Sequence, residues 1–422
     1  MRYQKPKGTK DFLPPEAKRA TALEEKFRKV CSLFGCQEIR TPILEHSELF
    51  LRTTGEGSDI VQKEMYLFKD KGGRELALRP EGTPGVLRAV IEGKLKLPLR
   101  LFYLGPMFRY EKPQKGRLRQ HTQLGVEILG EEGPYADAEL ILLGKEFFFE
   151  IGIKDYTVHV NSLGCQRCSN PFKEELKSFL REKREGLCSD CQERLLKNPL
   201  RVFDCKNEEC QKIYEAAPKI SNFLCPSCAQ HFASFLSYLS EMGIKNYQIH
   251  ERLVRGIDYY TRTVFEFVSE KLGSQNSFGG GGRYDNLLSQ LGGEERPAIG
   301  FALGLERLLL LTAEEKEENN LTFLIFLSFE DFRRGKEVIS QLRSSDIPLI
   351  VGEVGEKLKK QLKRANTYNA RWVLILGEEE WKKGVIGVKD MAEGKQWEIK
   401  REEVVDFILG GGDIGGRWVK RG

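Results

Sequence analysis

Eight of the ten cysteines in this 422-residue chain fall into four close pairs within one short stretch: Cys165-x-x-Cys168, Cys188-x-x-Cys191, Cys205-x4-Cys210 and Cys225-x-x-Cys228. Each pair brings two thiols together from about one turn of chain, and two such pairs complete a tetrahedral thiolate site. Four pairs therefore predict two metal sites, with Zn2+ the expected ion. A nested arrangement is expected, in which the outer pairs share one ion at the base of the segment and the inner pairs share another. Metal would replace the core that about 65 residues can barely supply. The competing reading is a set of reduced, buried thiols. Disulfides are not expected, because the N-terminus, MRYQKPKGTKDFLPPE, is charged and carries no apolar stretch of signal-peptide length.

The rest of the chain reads as an ordinary globular protein of two or three domains. Apolar residues make up 40% and charged residues 31%, which excludes disorder, and a net charge of +5 permits an anionic partner without arguing for one. The longest apolar runs, Leu308–Leu311 and Leu321–Leu327, fall far short of the ~20 residues that a bilayer crossing needs, so no membrane partner is expected and the location is read as cytoplasmic.

From Glu16 to Phe34 apolar residues recur at helical spacing until Gly35 stops the pattern. Short strand candidates follow at 76–78, 101–104, 107–110 and 123–129, divided by Gly and Pro, and resume after the cysteines at 247–249 and 263–269. Such meandering strands suit an antiparallel sheet. The expected fold is thus an α+β domain at 1–320 on an antiparallel sheet, interrupted by a cysteine-rich insertion at 165–232. A charged stretch, Glu314 to Asn320, leads to an α/β domain at 321–422, where strand and helix patterns alternate near 322–328, 330–342, 348–351, 356–365 and 372–376.

Several segments carry groups suited to binding a charged substrate. Arg79-Pro80-Glu81-Gly82-Thr83 presents a carboxylate and a hydroxyl at a turn, where they can clasp an ammonium or cap a helix. The run from Phe108 to His121 gathers Arg109, Lys112, Lys115, Arg117 and Arg119 around a Pro/Gly loop. Such a hairpin can wrap a polyphosphate, because the planar Arg fork makes paired bonds to phosphate oxygens; a solvated basic loop is the alternative. The segment Val254–Thr261 adds Arg255 and two tyrosines. The four glycines 279–282, before Arg283-Tyr284-Asp285, fit a turn, a bulge or a linker as readily as a binding floor.

Taken in order, these segments resemble the three signature motifs of the class II aminoacyl-tRNA synthetases over nearly the whole chain. Gly35 to Pro42 resembles the first motif, which in that family forms a dimer interface. Phe108-Arg109-Tyr110-Glu111 through Glu127 resembles the second, and Gly304-Leu305-Glu306-Arg307 the third. Leu253-Val254-Arg255-Gly256-Ile257-Asp258-Tyr259-Tyr260 and Gly281-Gly282-Arg283-Tyr284-Asp285 are similar to two peptides particular to the histidyl-tRNA synthetase family, and Lys7-Gly8-Thr9-Lys10-Asp11 fits as well.

That resemblance implies a homodimeric ligase that activates L-histidine with ATP and Mg2+ and loads it onto tRNA(His). It assigns Arg109 and Arg255 as the catalytic pair on the α-phosphate. Glu111, Arg117, His121 and Arg307 would bind ATP, with His121 standing where the family usually has a Phe against adenine. Glu81, Thr83 and Gln123 would clasp the histidine ammonium, with Arg109 reaching its carboxylate. An ionised Glu127 would accept from one imidazole nitrogen and Tyr260 donate to the other, while Tyr259 and Tyr284 wall the pocket. Protonation of His121 would make ATP affinity pH-dependent.

The insertion would lie over the acceptor arm of the tRNA, with Lys173, Lys177, Arg181, Lys183 and Arg184 as candidate phosphate contacts. The tail, about 322 to 422, resembles an anticodon-binding domain. Its segment Lys357–Arg364 is expected to set leucines on one face and cations on the other, and Gly410–Gly422 is left without a role. The family does not require the paired cysteines, so the resemblance adds nothing for the metal. Two other readings compete: a regulatory paralogue of the kind that assists an ATP phosphoribosyltransferase, disfavoured because Arg255, Arg307 and the tail are kept, and a noncatalytic nucleic-acid-binding module.

Overall fold

The computed structural model describes residues 3–54, 60–273, 275–313, 320–412 and 419–420. The chain divides into two compact units, Met1–Ala313 and Glu314–Gly422. Most of the charged stretch expected between domains, and most of the Gly410–Gly422 tail, lie outside the described residues.

The strands of the first unit, in chain order, are β1 (Gln37–Glu38), β2 (Leu44–His46), β3 (Tyr66–Lys69), β4 (Glu75–Leu78), β5 (Leu99–Phe108), β6 (Gln120–Leu129), β7 (Thr157–Ser162), β8 (Tyr247–Ile249), β9 (Thr261–Val268), β10 (Ser277–Arg283) and β11 (Ala298–Gly304). Eight of them form one sheet in the order β1-β5-β6-β11-β10-β9-β7-β8. Only the outermost pairs, β1 with β5 and β7 with β8, are parallel; the rest is antiparallel. A separate three-stranded sheet runs β2-β4-β3.

The helix Glu16–Leu33 buries Ala20, Leu23, Phe27, Val30 and Cys31, the face that its periodicity predicts, and Gly35 ends it at φ +72°. It packs with the helix Pro134–Glu150, which buries a broad face from Ala136 to Phe148. Their shared core takes in Phe235 and Leu239 of the helix Pro226–Glu241 together with Phe265, Phe267, Phe278 and Phe301 from the sheet. The cysteine-rich segment has a core of its own, from Phe172 and Leu176 to Tyr214 and Ile220.

One difference from the expected strands has a clear cause. Segments 101–104 and 107–110 are separated at Gly105-Pro106 in the sequence, yet β5 runs unbroken across that point and ends at Phe108, short of 110. Pro106 pairs with Thr122, whose N–H turns away from β5 to the Glu306 carboxylate at 2.9 Å. In an antiparallel ladder the partner of such a residue also needs no donor on that side, so the proline costs no ladder bond. Its carbonyl accepts from Arg79 Nε at 2.9 Å instead.

In the second unit β12 (Thr322–Phe326), β13 (Leu349–Val351), β14 (Trp372–Leu376), β15 (Val385–Asp390), β16 (Gln396–Lys400) and β17 (Val419–Lys420) form a sheet ordered β13-β12-β14-β15-β16-β17. β12 lies parallel to both β13 and β14, and the remaining pairs are antiparallel. The helix expected from 356 runs from Leu358 to Thr367 and departs from the expected faces. It buries Gln361 and Ala365, while Leu358 is 36% exposed. Gln361 earns its buried place by donating to the Glu356 carbonyl at 2.9 Å, capping the approach to the helix.

Candidate active site and two cysteine clusters

The middle strands of the large sheet bring the charged segments to one cavity of about 890 Å³. Glu81, Thr83, Arg109, Glu111, Arg117, His121, Gln123, Arg255, Tyr259, Tyr260, Tyr284 and Arg307 all line it. Glu127, fully buried on β6, stands behind that lining and bonds to two of its members: Thr83 Oγ1 donates to Glu127 Oε1 at 2.6 Å, and the Tyr284 hydroxyl donates to Oε2.

The glycine run is neither turn nor linker. It forms β10 in the middle of the sheet, paired on both sides by β9 and β11. Side chains are excluded there because other groups already occupy the space: a Cβ on Gly280 would stand 2.9 Å from Arg255 Nη1, and one on Gly282 the same distance from Tyr260 Cδ1. The strand is thus the floor on which Arg255 and Tyr260 rest. On β11, Gly300 leaves room for the Glu127 carboxylate.

Each arginine is held at one end and reaches the cavity with the rest. Arg109 Nε donates to the Pro80 carbonyl at 2.8 Å, tying β5 to the turn that carries Glu81. Arg307 Nε donates to the Gly116 carbonyl at 2.9 Å, and Nη1 to the Ser277 carbonyl, so it joins the loop between β5 and β6 to the start of β10. Arg117 pairs with Glu111. Arg255 Nη1 pairs with Glu266 Oε1 at 2.6 Å, and its Nε is buried with no hydrogen-bond partner among the described residues. A Lys could not hold one contact and keep others open in this way, because its single ammonium lacks the spread fork.

Near the start of the chain, Gly8 accepts from Arg119 N at 2.8 Å. At φ +86°, with the Arg119 side chain packed where a Cβ would stand, this position needs glycine. The Lys7–Asp11 segment is thereby docked on the same loop.

Burial sets the protonation of the inner wall. Desolvation pushes Glu127 up to about 8, although the bonds from Thr83 and Tyr284 oppose the shift. In the ligand-free cavity near neutral pH this carboxyl is therefore mostly protonated, whereas the expected carboxylate belongs to the histidine-bound site. Tyr260 is raised by desolvation to about 12, which keeps its hydroxyl a donor. Tyr259 does more than wall the pocket, since its hydroxyl donates to Glu81 Oε2 at 3.0 Å.

His121 also differs from expectation. Desolvation, reinforced by the charges of Arg109, Arg307 and Arg117, lowers it to about 3. In the ligand-free cavity it is therefore neutral across the physiological range.

The sequence reading missed several lining groups. Tyr103 on β5 occupies the space over Gly82 and Gly125 and faces the cavity. Glu266 is the counter-ion of Arg255. Arg201, Asp204 and Cys205 reach the cavity from the cysteine-rich segment. Only alternation along β9 could have singled out Glu266; Cys205 was marked by its pairing with Cys210, though not as a cavity residue, and no local signal marks Tyr103, Arg201 or Asp204.

The eight paired cysteines form two groups, Cys165, Cys168, Cys225 and Cys228, and Cys188, Cys191, Cys205 and Cys210, each with all four sulfurs within 4.8 Å of one another. This is the expected nested arrangement. Sulfur separations include 3.7 Å for Cys165–Cys168, 4.0 Å for Cys165–Cys225 and 3.8 Å for Cys188–Cys205. Disulfide sulfurs would lie about 2 Å apart. A tetrahedron of Zn–S bonds of about 2.3 Å has edges of about 3.8 Å. Backbone N–H groups point at the sulfurs as well: Cys225 N to Cys168 Sγ at 3.1 Å, Cys188 N to Cys210 Sγ at 3.3 Å and Asn207 N to Cys205 Sγ at 3.4 Å. Both groups could hold a metal ion. All ten cysteines are unbridged.

The comparisons with known proteins agree with this geometry. The family model described as histidyl-tRNA synthetase matches residues 8–308, and the one described as anticodon binding domain matches 323–410. A histidine–tRNA ligase of Desulfitobacterium hafniense is 46% identical over 416 residues, covering 97% of this chain and 98% of the relative. One from Thermotoga petrophila is 45% identical, with 97% and 98% covered. The crystal structure of apo S. aureus histidyl-tRNA synthetase superposes with a TM-score of 0.79 at 33% identity, covering 96% of this chain and all of that one. The chain belongs to the histidyl-tRNA synthetase family and is an aminoacyl-tRNA ligase.

Proposed function

We propose that the cavity activates L-histidine with ATP, forming histidyl-adenylate and pyrophosphate, and then passes histidine to the 3′ end of tRNA(His). The observation that carries this reading is the meeting of Arg109 and Arg255, from distant stretches of sequence, on the wall of one cavity whose buried end holds Glu127 and Tyr260.

The two guanidiniums are suited to share the charge that builds on the α-phosphorus as the histidine carboxylate attacks in line. No general base is required, since a carboxylate is already a nucleophile; the barrier falls through positioning and charge neutralisation. Glu111, paired with Arg117, helps hold ATP in a bent form, Arg307 reaches the γ-phosphate, and His121 lies against the adenine. Glu81, Thr83 and Gln123 take the ammonium. Glu127 loses its proton as it accepts from one imidazole nitrogen, while Tyr260 donates to the other.

Mg2+ takes oxygen ligands, and the cavity carboxylate Glu111 would supply one beside the phosphates. When bound, the ion neutralises charge on the departing pyrophosphate. For the cysteine clusters the fitting ion is Zn2+, because four thiolates at tetrahedral spacing are its preferred structural site. Metal analysis returning two zinc ions per chain supports this, and well under one removes it.

The tail serves the anticodon arm of the tRNA, and the exposed Arg181, Lys183 and Arg184 of the insertion, with Lys173 and Lys177, are the proposed contacts for the acceptor arm. A homodimer is favoured by the exposed Leu44, Leu67 and Phe68 of the three-stranded sheet, which lies next in sequence to the Gly35–Pro42 motif. A reducing, cytoplasmic location suits ten unbridged cysteines. Among the described residues, no helix is long and apolar enough to cross a membrane.

Pyrophosphate exchange tests the central reading. Purified protein given histidine, ATP and Mg2+ should exchange labelled pyrophosphate into ATP; dependence on another amino acid, or no exchange, would sink it.

A further inference from the structure

The inner cysteine cluster stands at the cavity itself. Cys205 follows directly on a short 3-10 helix, Pro199–Asp204, and Cys205, Asp204 and Arg201 all line the cavity wall. That helix is fixed at its start by the Asn198 side chain, which accepts from Leu200 N at 3.2 Å and donates to Asp258 Oδ1 at 2.7 Å. At its end the only neighbour in sequence is a proposed metal ligand. Between these two anchors, Arg201 Nη1 donates to the Arg255 backbone carbonyl at 3.2 Å and pairs with Asp204 at 2.9 Å. The guanidinium also lies against Gly256, with Nη1 3.2 Å from where a Cβ there would stand. Arg201 is only 9% exposed, so these bonds are made away from bulk water, where a misplaced partner is costly.

We propose that the ion held by Cys188, Cys191, Cys205 and Cys210 is a positioning element for the active site, fixing Arg201 against the 255–256 backbone and so aiming the Arg255 guanidinium. Arg201 is a positioning residue: it acts through Arg255 and touches neither reactant. Among the described residues the outer cluster is not tied to the 255–256 backbone; Gly164, beside Cys165, instead accepts from Arg262 N at 2.9 Å. Its cysteines begin and end the segment, at the helix starts Gln166 and Pro226, and none of them lines the cavity. The two sites therefore divide their work, the outer one closing the base of the insertion and the inner one coupling metal occupancy to histidine activation. The proposal rests on the zinc and adenylation readings above, and its test keeps the three apart.

Four variants of the full chain are compared with wild type for zinc content, circular dichroism and the kcat and KM of histidine-dependent pyrophosphate exchange. The Cys205→Ser/Cys210→Ser variant should lose one zinc and about 10²-fold in kcat, the size of loss that a misplacement of about 1 Å produces. Its KM values for ATP and histidine should change far less. Arg201→Ala should show the same loss of kcat with both zinc ions retained, and Arg201→Lys should recover part of it. The Cys165→Ser/Cys168→Ser variant should lose one zinc while kcat stays within about threefold of wild type.

An inner-site variant that has lost its zinc but exchanges at the wild-type kcat would overturn the proposal, as would Arg201→Ala with unchanged kcat. Should the cysteine variants fail to fold, the two Arg201 variants decide by themselves. Wild-type protein with under one zinc per chain refutes the metal half, and wild-type protein with two zinc ions but no exchange refutes the adenylation reading instead.

Discussion

The Thr83 hydroxyl donates to Glu127 Oε1 at 2.6 Å, joining the first turn of the helix Thr83–Glu92 to the C-terminal part of β6. Thr83 was expected to serve a substrate ammonium; in the ligand-free cavity its proton points to the carboxyl expected to read the imidazole ring. The two halves of the amino-acid pocket are thus one hydrogen-bonded unit. A shift at either end is felt at the other, because a buried carboxyl that loses a donor has no water to replace it.

This unit predicts a proton released on binding. Burial raises Glu127 to about 8, so at pH 7 the free protein holds a proton there that must leave before the carboxylate can accept from a neutral imidazole. Calorimetric titration with histidine at pH 7 should give an enthalpy that varies with the buffer's ionisation heat, and Glu127→Gln should abolish the variation and weaken binding about 10- to 100-fold. The sign for stability follows from the same shift. The folded-state value lies above the unfolded 4.5, so the wild type loses stability relative to Glu127→Gln as pH rises from about 4.5 to about 8, and not beyond. Buffer-independent binding would mean that the imidazole takes the proton, leaving Tyr260 no acceptor.

Arg255 is held by Glu266 at 2.6 Å, which fixes its direction without neutralising the whole fork, since Nε has no hydrogen-bond partner among the described residues. Arg255→Ala should lower kcat for pyrophosphate exchange by about 10²- to 10³-fold, the loss seen when one donor to a developing charge is removed. Thermal unfolding should show the variant still folded. Glu266→Gln should cost less, because a neutral amide still accepts from the guanidinium. Equal losses from the two changes would show that Arg255 acts only as a partner to Glu266.

His121, lowered to about 3 by burial among three arginines, remains neutral while solution pH moves through the usual imidazole range. The KM for ATP should therefore be flat between pH 6 and 8, in His121→Phe as in the wild type. Stability behaves differently: below about 6.5 the unfolded chain gains a proton that the folded one refuses, so folding weakens as pH falls toward 3, and His121→Phe removes that part of the loss. A wild-type KM that rises on acidification, with a flat profile in the variant, would contradict the neutral assignment.

How much of this could be read from sequence depended on whether the signal was local. The nested cysteine pairs were legible because ligand spacing is a property of a few neighbouring residues, and the helix Glu16–Leu33 because one face of it is buried. The helix Pro134–Glu150 gave no clear period because its outward face carries exposed Tyr135 and Phe149 among the polar residues, so apolar residues run round it. The strand β10 was equally silent: glycines carry no alternation, and the reason for them is Arg255 and Tyr260, brought there from another segment. In the tail, β15 and β16 went unrecognised although Gln396-Trp397-Glu398-Ile399-Lys400 alternates polar and apolar residues as a half-buried strand does. Arg201 is the extreme case, an arginine in an insertion whose meaning lies in a carbonyl 54 residues away.

The tail helix Leu358–Thr367 gives the last prediction, and the structure narrows which of its cations to test. Lys360 and Arg364 both pair with Glu356, the latter at 3.2 Å, so part of their charge is already answered within the protein. Lys359 and Lys363 lie one turn apart and exposed, spaced to follow a phosphate backbone. Each phosphate contact contributes about 0.7 to 0.9 to the slope of log affinity against log salt. Lys359→Gln/Lys363→Gln should therefore reduce the slope for tRNA(His) binding by about 1.5 and weaken binding most at low salt. Lys382→Gln, which removes a cation paired with Glu378 at 2.9 Å on a different helix, serves as the control and should leave the slope alone. If the double variant binds with the wild-type slope, the helix is an ordinary solvated face, and the tail must grip its tRNA elsewhere.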